Sequence, residues 1–438
     1  MEHGTHSAMG PAQGTGFFAA YNRVPLFVRI LAALVLGMIV GLKMGAGAGV
    51  FKPISDIVLQ ILRLLATPLI FVAVLNAIYK ANATGKAAGR LLALLMTNTV
   101  VAILVGLLVA NVIQPGRLVH LSPVGASSPR KSVNFFQDLL EKVPANLVDP
   151  LQRNEIISII ILAVAFGIAM RIVREQQAKL GKTGCETIGD ALDTVFQLVM
   201  VMLHWVFALI PLAVFAVVAR QVGKDGVKPL AQMLWFVITV VVALGLQAGY
   251  YLLRVRFGSW VRPGQFLRGA SEALITAFST ASSAATLPIT YTCVKDKIGV
   301  REESASLGVM VGGTFNHDGT ALYEAMAALF VGQMLGYHLG PVQQVSVVIM
   351  SVFASVGAAG IPEAGTVTMI AVFTAVKLPT EYIPLLLPLD WFLDRCRTAI
   401  NVMGDMSVTC ILDGKTAPGG RAQQEQPAFV EDVIPVAT

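Results

Sequence analysis

Charge is scarce in this sequence: Asp, Glu, Lys and Arg make up 13% of its 438 residues, about half the share of an average soluble domain. That excludes an ordinary solvated globular surface. Cysteine is scarce too, with four residues (Cys185, Cys293, Cys396 and Cys410) and no CxxC spacing, which speaks against a disulfide framework or a closely spaced metal site. No glycine-rich phosphate loop, nucleophile–base pair or spaced His/Cys set is present, so nothing points to an enzyme, a resident metal or a cofactor. The first apolar run keeps membrane length and is not followed by a small-residue cleavage pattern, so no removable signal peptide is expected. The net charge of +6 does not imply a nucleic-acid partner. Lys and Arg sit mainly between apolar runs, where cytoplasmic loops of a membrane protein need them.

What the chain has in abundance is hydrophobic sequence, 55% of its residues, with a mean hydropathy of +0.71. Several runs of roughly 20 apolar residues are each long enough to cross a bilayer. We expect an all-α polytopic membrane protein. Residues 1–22, rich in Gly, Ala and Thr, read as a flexible tail. Six spans follow, at about Leu26–Gly45, Ile54–Tyr79, Leu91–Ile113, Glu155–Val173, Thr194–Val222 and Ala231–Val255. Between the third and fourth lies a polar, external segment with a short amphipathic piece, SVNFFQDLLEKVPANL. Basic clusters after the second, fourth and sixth spans (Lys80/Lys86/Arg90, Arg171/Arg174/Lys179/Lys182, Arg254/Arg256) fall on one side. By the positive-inside rule that side, with the N-terminus, is cytoplasmic. Arg220, Lys224 and Lys228, on the opposite side, are the exception.

From about Arg268 the texture changes. Gly, Ser, Thr and Pro interrupt apolar sequence in AFSTASSAATLPITY, GVMVGGTFNHDGT and SVFASVGAAGIPEAGTVTM. Broken or re-entrant backbone is tolerated at membrane depth only where protein buries it or it lines a cavity. Two similar elements, each partnered by a helix, suggest an inverted pair of the kind that places substrate and ions at its interface. Small residues also serve plain helix packing, but here they coincide with charge. In the last span Asp390, Asp394, Arg397, Asn401 and Asp405 follow at spacings of four, three, four and four, close to one helical face. Charges at membrane depth cost about 3 kcal/mol each unless paired or facing a cavity. Asp and Arg locking helices together is the structural alternative. As a site, the arginine fork of Arg397 suits a carboxylate, and Asp394 suits an ammonium. Hard cations want oxygen ligands, which Asn316, Asp318, Asn401 and Asp405 would supply.

These residues and motifs resemble the dicarboxylate/amino acid:cation symporter family, the glutamate and neutral amino acid transporters, over nearly the whole chain and most strongly from Ala277 to Leu412. The resemblance implies eight transmembrane helices plus two re-entrant hairpins, at about 266–298 and 342–376, in an inverted-repeat elevator-type homotrimer. The membrane domain would cover 23–412, with spans 1, 2, 4 and 5 as scaffold and spans 3, 6, 7 and 8 with both hairpins as transport domain; 413–438 would be a cytoplasmic tail. It further implies substrate contacts at Ser282 and Ser283 of the first hairpin tip, and at Thr320. In the second tip (Val356 to Pro362) they fall at Ala359 and Gly360, and in the last span at Asp394, Arg397, Thr398 and Asn401. Ion coupling falls to Asn98, Thr99, Gly312, Asn316, His317, Asp318, Glu324, Ser355, Val356, Ala358, Asn401 and Asp405. Glu324, in ALYEA, matches an acid associated with proton and potassium coupling.

Two positions narrow the substrate. Relatives for neutral amino acids lack the arginine at 397 and simple C4-dicarboxylate carriers lack the aspartate at 394, so having both favours aspartate or glutamate. Ala281 combined with Arg395 resembles the animal-type arrangement. Two features depart from the pattern. A third sodium site uses hydroxyls and a carbonyl from the third span, where this chain has Leu95, Asn98 and Thr99; the Leu95 carbonyl and an Asn98 amide oxygen would still serve. In Asn316-His317-Asp318-Gly319-Thr320, His317 replaces a methionine, and imidazole adds a group that ordinarily titrates near neutrality. The resulting expectation is sodium-coupled uptake of an acidic amino acid, with protons or potassium as further coupling ions. Proton- or sodium-coupled transport of a C4-dicarboxylate or neutral amino acid, and an anion channel, are the alternatives. Glu363, beside the second tip, reads as a solvated charge.

Overall fold

The computed structural model describes residues 24–80, 85–119, 144, 146–153, 156–337, 339–357 and 364–418. These form helices and connecting turns, without a strand among the described residues. Most of the amphipathic piece at 132–147, Ala358, Ala359 and Gly360 of the second tip, and Glu363 lie outside them.

The first helix, α1 (Leu26–Met44), ends where Gly45 takes a positive φ of 54°. A 3-10 turn leads into α2 (Lys52–Lys80), followed by α3 (Gly85–Ile113), which stops at left-handed Gln114 and Pro115. Then come α4 (Ile156–Lys179), α5 (Gly184–Phe207) and α6 (Ile210–Asp225). The fifth span, expected as one helix from about Thr194, is thus two helices that begin ten residues earlier. The break falls just before Pro211, at the start of α6, where a residue with no N–H and a fixed φ is tolerated. After α7 (Leu234–Gly258), α8 (Pro263–Thr280) and α9 (Ser283–Thr292) pack on each other across a turn at Ala281, whose φ is 52°. The next span is interrupted: α10 (Glu302–Phe315) gives way to extended Asn316 before α11 (Asp318–Met334). The pair α12 (Pro341–Gly357) and α13 (Ala364–Ala375) precedes the long α14 (Ile383–Asp413).

Four described stretches, Leu26–Lys80, Gly89–Leu118, Gly184–Phe207 and Lys228–Gly258, are long and apolar enough to cross a membrane. The first of them holds both α1 and α2. The break at Asn316 leaves α10 with 14 residues and α11 with 17, short of the usual spanning length.

Packing divides the helices. α1 and α2 both lie on α6, and α2 also packs on α4 and α5. α1 owes its fit to Gly37 and Gly41, four residues apart: a Cβ on Gly37 would come within 2.9 Å of the Phe215 carbonyl oxygen, and one on Gly41 within 2.5 Å of that of Ala219. Such small-xxx-small spacing lets two backbones approach closely. In the second group α14 touches α7, α8, α10 and α11, while α3 packs along α11. The α12–α13 pair contacts α11 on one side and α2 on the other.

Candidate functional site

The break between α10 and α11 positions the polar residues. Asn316 is extended (φ −100°, ψ 96°), and its N–H still reaches back to the Gly312 carbonyl at 2.7 Å. Three glycines allow the crossing with α14. A Cβ on Gly319 would lie 2.7 Å from the Arg397 carbonyl oxygen, one on Gly404 2.5 Å from Asn316 Nδ2, and one on Gly312 2.8 Å from Asp405 Oδ1. Only hydrogen at these positions lets the backbone and the polar side chains approach so closely.

Asn401 braces the crossing. Its Oδ1 accepts from the Gly319 N–H at 2.8 Å, its Nδ2 faces Thr320 Oγ1 at 3.4 Å, and its carbonyl accepts from Asn316 Nδ2 at 3.2 Å. Asp318 is fully buried and receives two hydroxyls, Thr99 Oγ1 at 2.6 Å on Oδ1 and Tyr251 Oη at 2.5 Å on Oδ2. Two neighbouring oxygens are treated differently: Asn316 Oδ1 and Asp405 Oδ1 are buried with no hydrogen-bond partner among the described residues. Leaving such atoms unpaired costs about 1–3 kcal/mol each. Buried oxygens one of which belongs to a carboxylate are the donor set a hard cation such as sodium takes. The residues fit a sodium ion as cargo.

Arg397 is fully buried, with Nη1 on Asp390 Oδ1 at 2.6 Å and Nη2 on Asp394 Oδ1 at 2.7 Å. Its guanidinium also lies 4.0 Å from the centre of the Tyr323 ring, a cation–π contact. Thr398 turns its hydroxyl onto the Asp394 carbonyl at 2.8 Å. A cavity of about 180 Å³ reaches this cluster, with Asp390, Asp394 and Arg395 on one wall and Leu26, Phe27 and Ile30 of α1 on another. The α8–α9 turn borders the same cavity through Thr280 and Ala281. Ser282 follows as the cap of α9, its Oγ accepting from the Ala285 N–H at 3.2 Å, and Ser283 is buried in the first turn. Trp391 stacks on Phe27 at 4.5 Å, tying α14 to α1, and the Arg395 guanidinium lies 4.6 Å from the centre of the Trp391 ring.

Of the expected residues, Thr320, Asp394, Arg397, Thr398 and Asn401 come together at the α11–α14 crossing, and Asn316, Asp318 and Asp405 lie next to them. His317 Nδ1 meets the Ser355 carbonyl of α12 at 3.0 Å, while its Nε2 has no partner among the described residues. Glu324 is fully buried, accepts from Thr368 of α13 on one oxygen, and leaves Oε2 unpartnered among the described residues. Val356 is placed in α12 without a described side chain. One expectation is corrected: Asn98 does not hold its amide oxygen open, because Arg254 Nη1 donates to it. Sequence reading missed Tyr251, Arg254 and Thr368 as members of this centre. The first two had a signal, since Gln247, Tyr251 and Arg254 are spaced four and three apart in largely apolar α7.

A helical body with membrane-length apolar stretches, whose interior holds paired charges and unpaired oxygens beside a cavity, defines a polytopic membrane protein of transporter type. The chain belongs to the sodium:dicarboxylate symporter family, whose family model matches residues 26–415. It is 32% identical to excitatory amino acid transporter 2 of Mus musculus over 456 residues, covering 86% of this chain and 77% of that protein. It is 29% identical to excitatory amino acid transporter 1 of Ambystoma tigrinum over 455 residues, covering 89% and 82%. Excitatory amino acid transporter 4 of Mus musculus is 36% identical over 311 residues, covering 67% and 54%. The family is one of symporters rather than enzymes.

Proposed function

We propose that this chain is a secondary active symporter that takes up aspartate or glutamate with sodium, working as an elevator-type homotrimer with cytoplasmic termini. One observation carries the reading: a fully buried guanidinium held by two aspartates, within the same helix crossing as unpaired buried oxygens. Arg397 would take the substrate side-chain carboxylate through its fork, displacing Asp390 or Asp394. Asp394, freed from Arg397, would face the substrate ammonium. Ser282, Ser283, Thr320, Thr398 and Asn401 would complete the substrate shell, with Ala359 and Gly360 closing over it. Asn316, Asn401 and Asp405 would carry sodium, helped by Gly312, Ser355, Val356 and Ala358, with Asp318 as the neighbouring buried charge.

The packing supports a division into scaffold (α1, α2, α4, α5, α6) and moving body (α3, α7–α14), because contacts within each group dominate the α14 and α6 surroundings. The α8–α9 and α12–α13 pairs would be the two re-entrant hairpins. A coupling role for Glu324 in proton or potassium movement is favoured by its complete burial and its unpartnered Oε2.

The test is counterflow and uptake in proteoliposomes with labelled aspartate, glutamate, succinate and alanine, under sodium, proton and potassium gradients imposed separately. Concentrative aspartate uptake driven by sodium supports the reading. Exchange of succinate but not aspartate would make the protein a dicarboxylate carrier, and current without concentrative uptake would make it a channel.

His317→Met is expected to raise apparent sodium affinity, measured as a lower half-saturating sodium concentration for uptake. The thioether removes the imidazole tie to the Ser355 carbonyl and returns a soft, uncharged group. An unchanged sodium curve would leave the histidine as a packing substitute.

A further inference from the structure

Arg254 does not behave as a loop-side charge. It projects from α7 toward α3, where Nη1 donates to the Asn98 amide oxygen and lies 3.4 Å from the Leu94 carbonyl oxygen. Tyr250, one turn back, places its ring centre 5.7 Å from the guanidinium. Asn98 is fully buried, and its Nδ2 has no partner among the described residues. Gln247 of α7 faces the Asn98 carbonyl at 3.5 Å. Asn98 is followed directly by Thr99, the donor to Asp318, and Tyr251 supplies the second hydroxyl to that carboxylate.

The oxygens of this region therefore fall into two sets. Around Asp405 and Asn316, two are unpaired. Around Asp318 and Asn98 every carboxylate and amide oxygen already accepts a proton donor, and one of those donors is a permanent cation. An oxygen whose lone pair faces an N–H or O–H is poorly disposed to a metal ion, and an arginine beside it adds like-charge repulsion. Asp318 and Asp405 together bring two negative charges into a dry interior, where each must be neutralised. Arg254 supplies one of the two countercharges from the chain itself, and a transported ion needs to supply only the other.

We infer that Arg254 is a tethered cation that takes the place of a coupling sodium ion at the Asn98–Thr99–Asp318 position, so that this protein moves one sodium fewer per substrate than its carboxylates alone would demand. The inference rests on the symport reading and concerns how many ions that symport uses. A planar guanidinium is permanently charged and spans both the amide oxygen and the carbonyl, so no pH within the stability range would release the position to a sodium ion.

The test compares wild type, Arg254→Met and Arg254→Lys. Paired fluxes of labelled sodium and labelled aspartate give ions per substrate. In detergent, the slope of thermal stability against the logarithm of sodium concentration reports ions bound without needing transport. Arg254→Met is expected to carry one more sodium per substrate and to steepen the stability slope by the equivalent of one ion; Arg254→Lys should keep the lower count, whatever its rate. Recovered Arg254→Met protein with the wild-type count overturns the inference. If Arg254→Met is not recovered in choline, recovery when sodium is present throughout extraction supports it, and loss in both salts overturns it. A wild type blind to sodium would instead count against the symport reading, and Arg254→Met acquiring a sodium response would still uphold the role of the arginine.

Discussion

Replacing Arg397 with cysteine is expected to lower aspartate transport between about 30- and 4,000-fold, while alanine or serine transport falls far less or rises. Truncating one partner of a buried, hydrogen-bonded charge pair costs about 2–5 kcal/mol, and each 1.4 kcal/mol is a factor of ten in affinity. Arg397 has no exposed surface and offers two nitrogens at 2.6 and 2.7 Å to carboxylate oxygens, so an arriving carboxylate exchanges places with one already bound. That exchange costs little, because it replaces one charge-assisted hydrogen bond by another of the same kind. Without the guanidinium an acidic substrate meets two aspartates and no buried fork for its side-chain carboxylate, and is repelled. A neutral substrate needs only Asp394 for its ammonium. The measurement is uptake of labelled aspartate and labelled alanine by one preparation of each variant. Arg397→Lys, which keeps charge but loses the fork, should fall between wild type and cysteine. Equal losses for both substrates would make the arginine a strut between Asp390, Asp394 and Tyr323, not a receptor.

The charged stripe of α14 was legible because hydrophobic sequence makes every polar residue conspicuous, and because spacings of three and four place them on one face. The break between α10 and α11 was legible from glycine and asparagine inside an apolar run. Other features were not. Arg254 closes an apolar run together with Arg256, and in sequence the pair has the composition of a topology signal. Only the fold shows one arginine turned inward to Asn98. Tyr251 reads as an ordinary membrane aromatic until its hydroxyl is found on Asp318. Gly37 and Gly41 carried a packing signal, yet nothing local in the sequence identifies α6 as the partner, since some 170 residues separate them. The split of the fifth span depended on Pro211 acting as a helix start where hydropathy alone is continuous. Long-range partners and the facing of individual polar groups come from packing, to which composition and periodicity are blind.

Asp405→Asn should have two opposite effects, and their combination makes the prediction specific. Asp405 is 2% exposed, and its Oδ1 has no hydrogen-bond partner among the described residues. Asparagine keeps the shape and removes the charge. In choline, where no small hard cation balances the carboxylate, an unpaired buried charge is a liability, so the variant should unfold at a higher temperature than wild type. In sodium the order should reverse, because interactions with a charged group are worth about 1.5–3 kcal/mol, or roughly a 10- to 150-fold rise in half-saturating sodium concentration. Substrate uptake would follow the sodium curve, falling steeply at low sodium and partly restored at high sodium. Asn316, whose orphaned Oδ1 lies in the same crossing, gives the control in kind: Asn316→Ala should weaken sodium without stabilising the protein in choline, since it removes a dipole and no charge. Thermal unfolding in choline and in graded sodium measures all three proteins on one scale. If Asp405→Asn leaves the sodium-induced stabilisation intact, the carboxylate is a structural group, and the cation must bind to oxygens elsewhere in the crossing.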